Sequence, residues 1–436
     1  MKSVRLVFLL LWCVLPLRLP AQALELNLDA SIERALTHNL SIRSSLIDVH
    51  AAQRDKDTSW NLFLPVVRAT LSNSGRNTVF QDSPVIKPMI KGNSGLSAGL
   101  SLSLTLNPAL QQQLQSFDLN YQVQQVTYAQ AALEVKRNVT KLFFYLLAER
   151  ENLLLLQKGI ELAQRNLGKV RASFESGHTS ELEVLSAELG VQRLLPSLGQ
   201  SRNTYHAQMM AFKVLIGLDL DEEVELVGVL PMIGSAPALE DLNAQVGLSP
   251  RLRLIDLNVL SLENSAKLQR RYDSGPSITF SGQYGISVWD DNPLYATVDF
   301  IDTIQYTVSV AIPLDAHIPN SRAQVSLAKI ADSMEKLQLS RAQTVQQMKQ
   351  SLRTQLATLE NLTEQMDLAM ANRSLAQRVY EMTAAQYESG YADALALADA
   401  RNDLLAAEQN MLYLQYQHAS ARVDLAYDLN LEPDFL

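Results

Sequence analysis

The chain is poor in the residues from which most catalytic and redox sites are built. Of 436 residues only Cys13 is a cysteine, and it falls in an N-terminal segment with the features of a leader. The rest of the chain can form no internal disulfide and no cysteine-ligated metal site. The six histidines, at 38, 50, 178, 206, 317 and 418, include no close pair of the metal-ligand kind. No HExxH, P-loop, GxSxG or dinucleotide fingerprint occurs. The carboxylates follow helix-surface patterns, so the sequence argues against an enzyme and implies no cofactor. Excess positive charge is also lacking. The formal charge is −9, and without Lys2, Arg5 and Arg18 it becomes −12, which argues against a nucleic-acid partner. Aromatics make up 6%, and 17 glycines and 15 prolines are modest numbers.

Lys2 and Arg5 precede an apolar run from Leu6 to Leu15, and Ala21-Gln22-Ala23 places small residues at −3 and −1 of a cut. This predicts a secretory signal peptide over residues 1–23, cleaved after Ala23. Trp12 stands where a lipid-attachment cysteine requires a small residue, so Cys13 is not read as lipidated. No later run of about 18 apolar residues exists to cross a bilayer as a helix. If the exported chain spans a membrane, it does so with strands closed into a barrel.

One stretch occurs twice. FESGHTSELEVL covers residues 174–185 and YESGYADALALA covers 387–398. Each interrupts a long helical pattern with Glu-Ser-Gly and then resumes apolar residues at helical spacing. The pattern predicts a helix that stops at Gly177 or Gly390 and returns antiparallel, an arrangement also met in ordinary helical hairpins. Thr179 or Ser180 caps the first returning helix, with Glu181 and Glu183 in its first turn, and Asp393 caps the second.

The rest of the chain follows the same duplicated plan. Leu28 to about Phe63 reads as a helix pair or one broken helix, with a break at Asn39. From Pro65 the period becomes two: Val67, Ala69 and Leu71 alternate with Arg68, Thr70 and Ser72. After a loop (Asn73–Asn93), Leu96, Ala98, Leu100, Leu102, Leu104 and Leu106 alternate with Ser97, Gly99, Ser101, Ser103 and Thr105. One greasy and one hydroxylated face suit a strand between lipid and a wet lumen, although strands of soluble sandwiches alternate too. Asn107-Pro108 opens a helix to about Glu175, roughly 100 Å at about 1.5 Å per residue. Its partner runs from Ser180 to about Ile216, with Pro196 inside.

Gly217–Asp241 is expected to be a solvated connector. Its acids (Asp219, Asp221, Glu222, Glu223, Glu225) lack the spacing of a calcium loop. Then the order repeats. Ser249-Pro250-Arg251 mirrors Leu40-Ser41-Ile42. Pro276 opens a strand 211 residues after Pro65, and Pro319 opens a helix 211 after Pro108. Markers of different kinds at one offset indicate an internal duplication. The last helix carries a near-heptad seam, Leu397, Leu404 and Met411 with Ala400, Ala407, Leu414 and Ala421. Val345, Met348, Leu352, Leu356, Leu359 and Leu362 offer the facing seam.

The expected organisation is therefore a leader (1–23), a first repeat (24–216; strands 65–106, tip 174–180), a linker (217–241), a second repeat (242–428; strands 276–313, tip 387–393) and a tail (429–436). The fold class is mainly α with β: long antiparallel helical hairpins plus four transmembrane strands per chain. Four strands cannot enclose a lumen, and lipid does not tolerate free edges. Several copies must combine, and three give a plausible twelve-stranded barrel. The competing readings are a non-conducting structural or adhesive trimer that spans the periplasm, and an intracellular coiled coil.

On the segments LPVVRATL, SLSLTLNPALQQQ, FESGHTSELEVLSAE, PSITFSGQY, SVAIPLDAHIPNSRAQ and YESGYADALALADARNDLL, the chain resembles the TolC-like outer-membrane efflux family. The resemblance implies a homotrimer with a twelve-stranded barrel in outer-membrane lipid and a helical tunnel in the periplasm. It places the linker and the C-terminal residues near a belt around that tunnel. It implies a passive exit duct, in efflux or type I secretion, energised by an inner-membrane pump of unspecified class. The tips, carried over as Ser176, Gly177, His178, Ser389, Gly390 and Tyr391, then meet a periplasmic adaptor. An inward acidic ring falls on Asp399; the second expected acid is Ala396 here, and Asp403, one turn on, shares the face of Asp399. A basic residue found in some members is Ala392, so a gate-locking ion pair of that kind is absent or different.

Overall fold

Two pairs of very long helices and one four-stranded sheet account for most of the architecture. The structure is a computed structural model and describes residues 24–75, 94–231, 245–290 and 301–431. The expected leader, most of both strand-to-strand loops, residues 232–241 of the linker and the last five residues lie outside the described residues.

The described residues begin with β1 (Leu24–Leu26), α1 (Leu28–His38) and α2 (Leu40–Asp57), followed by a short 3-10 turn (Ser59–Phe63). Asn39 separates the two helices, and its extended backbone breaks the α pattern. Its side chain accepts from the N–H groups of Ser41 (2.9 Å) and Ile42 (3.3 Å) and donates to the carbonyl of Leu215 (2.8 Å). This buried asparagine thus caps one helix and ties down the end of another. Strands β2 (Val66–Gly75) and β3 (Ser94–Leu106) follow, then α3 (Leu110–Glu175) and α4 (Glu181–Leu215). At 66 residues α3 is about 100 Å long, and α4 continues through Pro196.

The second half contains β4 (Val224–Leu226), a 3-10 turn (Gln245–Leu248), α5 (Pro250–Ser274), β5 (Ser277–Asp290), β6 (Ile301–Ala311), a 3-10 turn (Asp315–His317), α6 (Arg322–Glu388) and α7 (Ala394–Asp428). The duplicated order is present, with two corrections. First, the second long helix starts at Arg322 rather than Pro319. Asn320 adopts a left-handed conformation (φ 58°), and Ser321 caps the helix by accepting from the N–H of Gln324. Second, residues 217–231, which are mostly exposed, also carry a strand and two buried leucines. β4 pairs in parallel with β1, Leu24 opposite Val224 and Leu26 opposite Leu226, and Leu218 and Leu226 are buried.

That small sheet closes the main hydrophobic core. Leu26, Ala35, Val139, Phe143, Leu146, Leu147, Phe212, Ile216, Leu218 and Leu226 pack together from β1, α1, α3, α4 and the β4 segment. Further out, the heptad seam of α7 meets the facing seam of α6. Leu362, Met366 and Ala369 pack on Met411 and Leu414, while Leu352, Leu356 and Leu359 pack on Leu425 and Leu429.

The sheet runs β2-β3-β5-β6, antiparallel throughout. Its register lines up the greasy positions of both repeats. One rung reads Ala69, Leu100, Tyr284, Ile304; the next reads Val67, Leu102, Gly282, Tyr306. Rungs of the opposite face read Thr70, Gly99, Gly285, Thr303 and Ser72, Ser97, Ser287, Ile301. A slip of one residue at any pairing would exchange the faces. Much of the apolar face is exposed, Leu71 by 75% and Ile304 by 80%, whereas Val288 near the end of β5 is buried at 2%. Strands of 10, 13, 14 and 11 residues are long enough for a tilted span of a bilayer core. Among the described residues no helix is long and apolar enough to cross a membrane.

Candidate functional site

Both hairpin tips close by the same backbone device. At the first, Gly177 has φ +77°. Its N–H donates to the Phe174 carbonyl (2.8 Å), and the N–H of His178 donates to that of Ser173 (2.9 Å). At the second, Gly390 has φ +80°, with Gly390 N–H to Tyr387 (3.1 Å) and Tyr391 N–H to Gln386 (2.9 Å). These pairs form a Schellman closure, in which a left-handed residue lets orphan carbonyls be satisfied, and glycine adopts that conformation without a Cβ penalty. Ser176 and Ser389 repeat one another as well, each hydroxyl donating to the carbonyl four residues back at 2.8 Å. Ser180, not Thr179, caps α4 by accepting from the N–H of Glu183; the Thr179 hydroxyl bonds the Glu183 carboxylate instead. Asp393 caps α7 by accepting from the N–H of Ala396 (2.8 Å).

Packing brings the two tips to one end. Val170, Ala187 and Ala394 form a small buried cluster, with Leu167, Val184 and Tyr387 against it. Burial, with Glu183 nearby, raises the Tyr387 phenol above its usual range. Beyond this cluster Ser176, Gly177, His178, Ser389, Gly390 and Tyr391 are all exposed, Tyr391 by 88%. A Cβ built on either glycine meets nothing within 4 Å. The end of the double hairpin is a small-residue surface with one projecting aromatic.

Asp399 and Asp403 are exposed on one face of α7. Between them, on the opposite face, lies a residue that the sequence reading passed over. Arg401 is buried against α4, its guanidinium 3.7 Å from where a Cβ on Gly190 would stand. Neither aspartate reaches it, and among the described residues it has no carboxylate partner. Burial lowers its pKa, opposed by the nearby Tyr380. A signal was available: Ala394, Ala398 and Arg401 fall at helical spacing on the stripe that packs toward α4, so the arginine occupies a core position. Farther along the same helices, Gln409 donates to Asn152 (2.8 Å), and Asn152 donates to Ser201 (3.1 Å), linking α7, α3 and α4.

Among the described residues no group of His, Cys, Asp and Glu could hold a metal ion. The geometry offers instead an elongated body with an uncovered two-faced sheet at one part and two closely packed turns at another.

The family model described as outer membrane efflux protein matches residues 31–217 and 247–430, one stretch in each repeat. No curated protein is similar enough in sequence to match. Among solved structures, the CmeC outer membrane channel of Campylobacter jejuni superposes with a TM-score of 0.75 at 17% identity, covering 92% of this chain and 85% of that one. The open state of the Neisseria gonorrhoeae MtrE outer membrane channel gives 0.71 at 18% identity, over 93% and 89%. The outer membrane protein VceC of Vibrio cholerae gives 0.71 at 14% identity, over 92% and 95%. At these identities the likeness is one of fold.

Proposed function

The chain belongs to the outer membrane efflux protein family, and on that premise we propose that it is the outer-membrane exit duct of a tripartite efflux or type I secretion system. Membership places it in the outer membrane with a periplasmic extension and gives it a transport role in efflux. Three copies close their sheets into a twelve-stranded barrel, and their helices form a tunnel through which substrates pass passively. An inner-membrane pump supplies the energy. Ser176, Gly177, His178, Ser389, Gly390 and Tyr391 dock a periplasmic adaptor, and Asp399 with Asp403 lines the periplasmic mouth. The chain carries no chemistry of its own in this reading and needs no cofactor.

One observation carries the proposal. Among the described residues the sheet has two unpaired edges, β2 and β6, and an apolar face assembled from both repeats that is largely exposed, Val288 excepted. An open apolar sheet of this size is unstable in water and its edges are unacceptable in lipid; closure with further copies resolves both. Small residues at the tips support docking, because they admit the close approach of another helical turn.

Conductance in a planar bilayer tests the duct. Purified trimer is expected to pass current, and Asp399→Asn with Asp403→Asn is expected to lower its preference for cations, since ringed carboxylates concentrate them. Well-folded trimer that passes no current favours the non-conducting scaffold. Docking is tested separately with Ser176→Arg and Ser389→Arg, which add bulk and charge to exposed tips. These should reduce efflux in cells and adaptor cross-linking by roughly tenfold or more, the effect of losing about 1.4 kcal/mol of binding. Trimer yield and bilayer current should stay unchanged. Unaltered efflux would remove the tips from the interface.

A further inference from the structure

The hydroxylated face of the sheet carries a single charge among its described residues. Arg68, on β2, lies opposite Ser101 of β3, which lies opposite Gln283 of β5, which lies opposite Gln305 of β6. The other rungs of that face hold serine, threonine, glycine and an occasional small or apolar residue, with no acid. Asp302, the acid nearest on β6, pairs with Ile286 and so belongs to the opposite, apolar face. The Arg68 side chain is exposed and has no hydrogen-bond or ion-pair partner among the described residues. Closure with a second copy does not supply one from the same face. Whichever register that copy's β6 takes beside β2, its wet face offers Thr303, Gln305, Thr307 and Ser309, and no carboxylate.

We infer that Arg68 is a specificity-determining residue of the barrel lumen: in the closed trimer its three copies form a positive ring that favours anionic permeants. The inference rests on the duct reading given above. Its physical basis is focusing. Within a wet bore in lipid, three like charges act over a screening length of about 8 Å. The low-dielectric wall strengthens their field. The sign is opposite to that of the acidic chain as a whole and of Asp399 and Asp403, so a permeant meets two charged stations in series. Small anions, or amphipathic molecules bearing a carboxylate, sulfonate or phosphate, are the class such a ring admits most readily.

The experiment is reversal-potential measurement on trimer in a planar bilayer under a potassium chloride gradient. Asp399→Asn/Asp403→Asn is the background, so that the mouth does not mask the barrel. Arg68→Gln should lower the chloride-to-potassium permeability ratio by about three- to tenfold, the scale of a potential near one thermal energy acting oppositely on the two ions. Arg68→Glu should lower it further. Cysteine substitution checks orientation, which is straightforward because the only native cysteine, Cys13, is in the expected leader. Arg68→Cys treated with a cationic methanethiosulfonate should regain the anion preference. Val67→Cys, on the neighbouring face, should show no change in current.

An unchanged ratio in a conducting Arg68→Gln trimer overturns the inference and leaves the duct intact. So does aggregation of Arg68→Gln monomer with normal selectivity in the remaining trimer, which would make Arg68 a guard of the β2 edge. Current that responds to Val67→Cys rather than Arg68→Cys overturns the assignment of faces. Absence of current from every well-folded trimer, including the parent, removes the duct reading itself and the inference with it.

Discussion

Leu100→Arg is expected to abolish assembly in the outer membrane, whereas Ser103→Arg, three residues along the same strand, is expected to leave assembled protein. Leu100 is the middle residue of β3 and is flanked by Ala69 and Tyr284 on the apolar face. A charged side chain on the lipid face near the bilayer midplane costs about 2–4 kcal/mol per strand. Three copies in a barrel raise that to roughly 6–12 kcal/mol, comparable with the whole stability of a typical domain at about 5–15 kcal/mol. Ser103 lies between Val66 and Ser281 on the other face, where, in the proposed barrel, an arginine would reach lumenal water. Fractionation of the outer membrane and a heat-modifiable trimer band give the readout. Equal tolerance of both substitutions, or loss with Ser103→Arg alone, would reverse the faces and with them the barrel as described.

The second large effect is expected in the core closed by β1 and β4. Phe143 is 2% exposed and its ring lies 6.2 Å from that of Phe212, which is fully buried. The same ring supports the backbone at Gly228, where a Cβ would come within 3.3 Å of it. Phe143→Ala removes this ring from a site fixed by two long helices and two short strands, so the walls cannot collapse freely into the space. Such truncations cost about 3–5 kcal/mol. Phe143→Leu keeps most of the volume and should cost under about 1.5 kcal/mol. Because the proposed trimer would not unfold in one step, the measurement should be local: protease cleavage between Gly217 and Pro231 and amide exchange of β4. The alanine variant should be nicked there many times faster than the leucine variant, with the sheet and tips unaffected. Equal protection would mean that this segment draws its stability from elsewhere.

Local chemistry made much of this molecule readable without coordinates. Period-two alternation around Leu96–Leu106 and the change of period at Pro65 are short-range signals. So are the caps at Ser180 and Asp393 and the two glycine turns, because each depends on residues within a turn or two of one another. The duplication was readable for a different reason: prolines and glycines mark positions where backbone conformation is restricted, and their offset survives changes of side chain. Errors fell where local rules compete. At Pro319 a helix start was expected, yet left-handed Asn320 and the cap at Ser321 postpone it to Arg322. In Gly217–Asp241 the acids dominate the composition and hide the strand β4 and the two residues, Leu218 and Leu226, that its described part buries.

By itself, then, the sequence determined the long helices, where they turn, and the four longer strands, each with one greasy and one hydroxylated face; it did not show the short strands β1 and β4. Backbone periodicity and capping set those properties over distances of a few residues. Only the tertiary structure decided that β3 and β5 pair in the one register that makes the faces of the two repeats flush, leaving Arg68 alone among neutral neighbours. It also decided that β1 reaches across 200 residues to β4, that both tips share one end, and that Arg401 is enclosed by α4. These depend on contacts between residues far apart in the chain, where burial of apolar surface selects among pairings that local patterns leave equally acceptable.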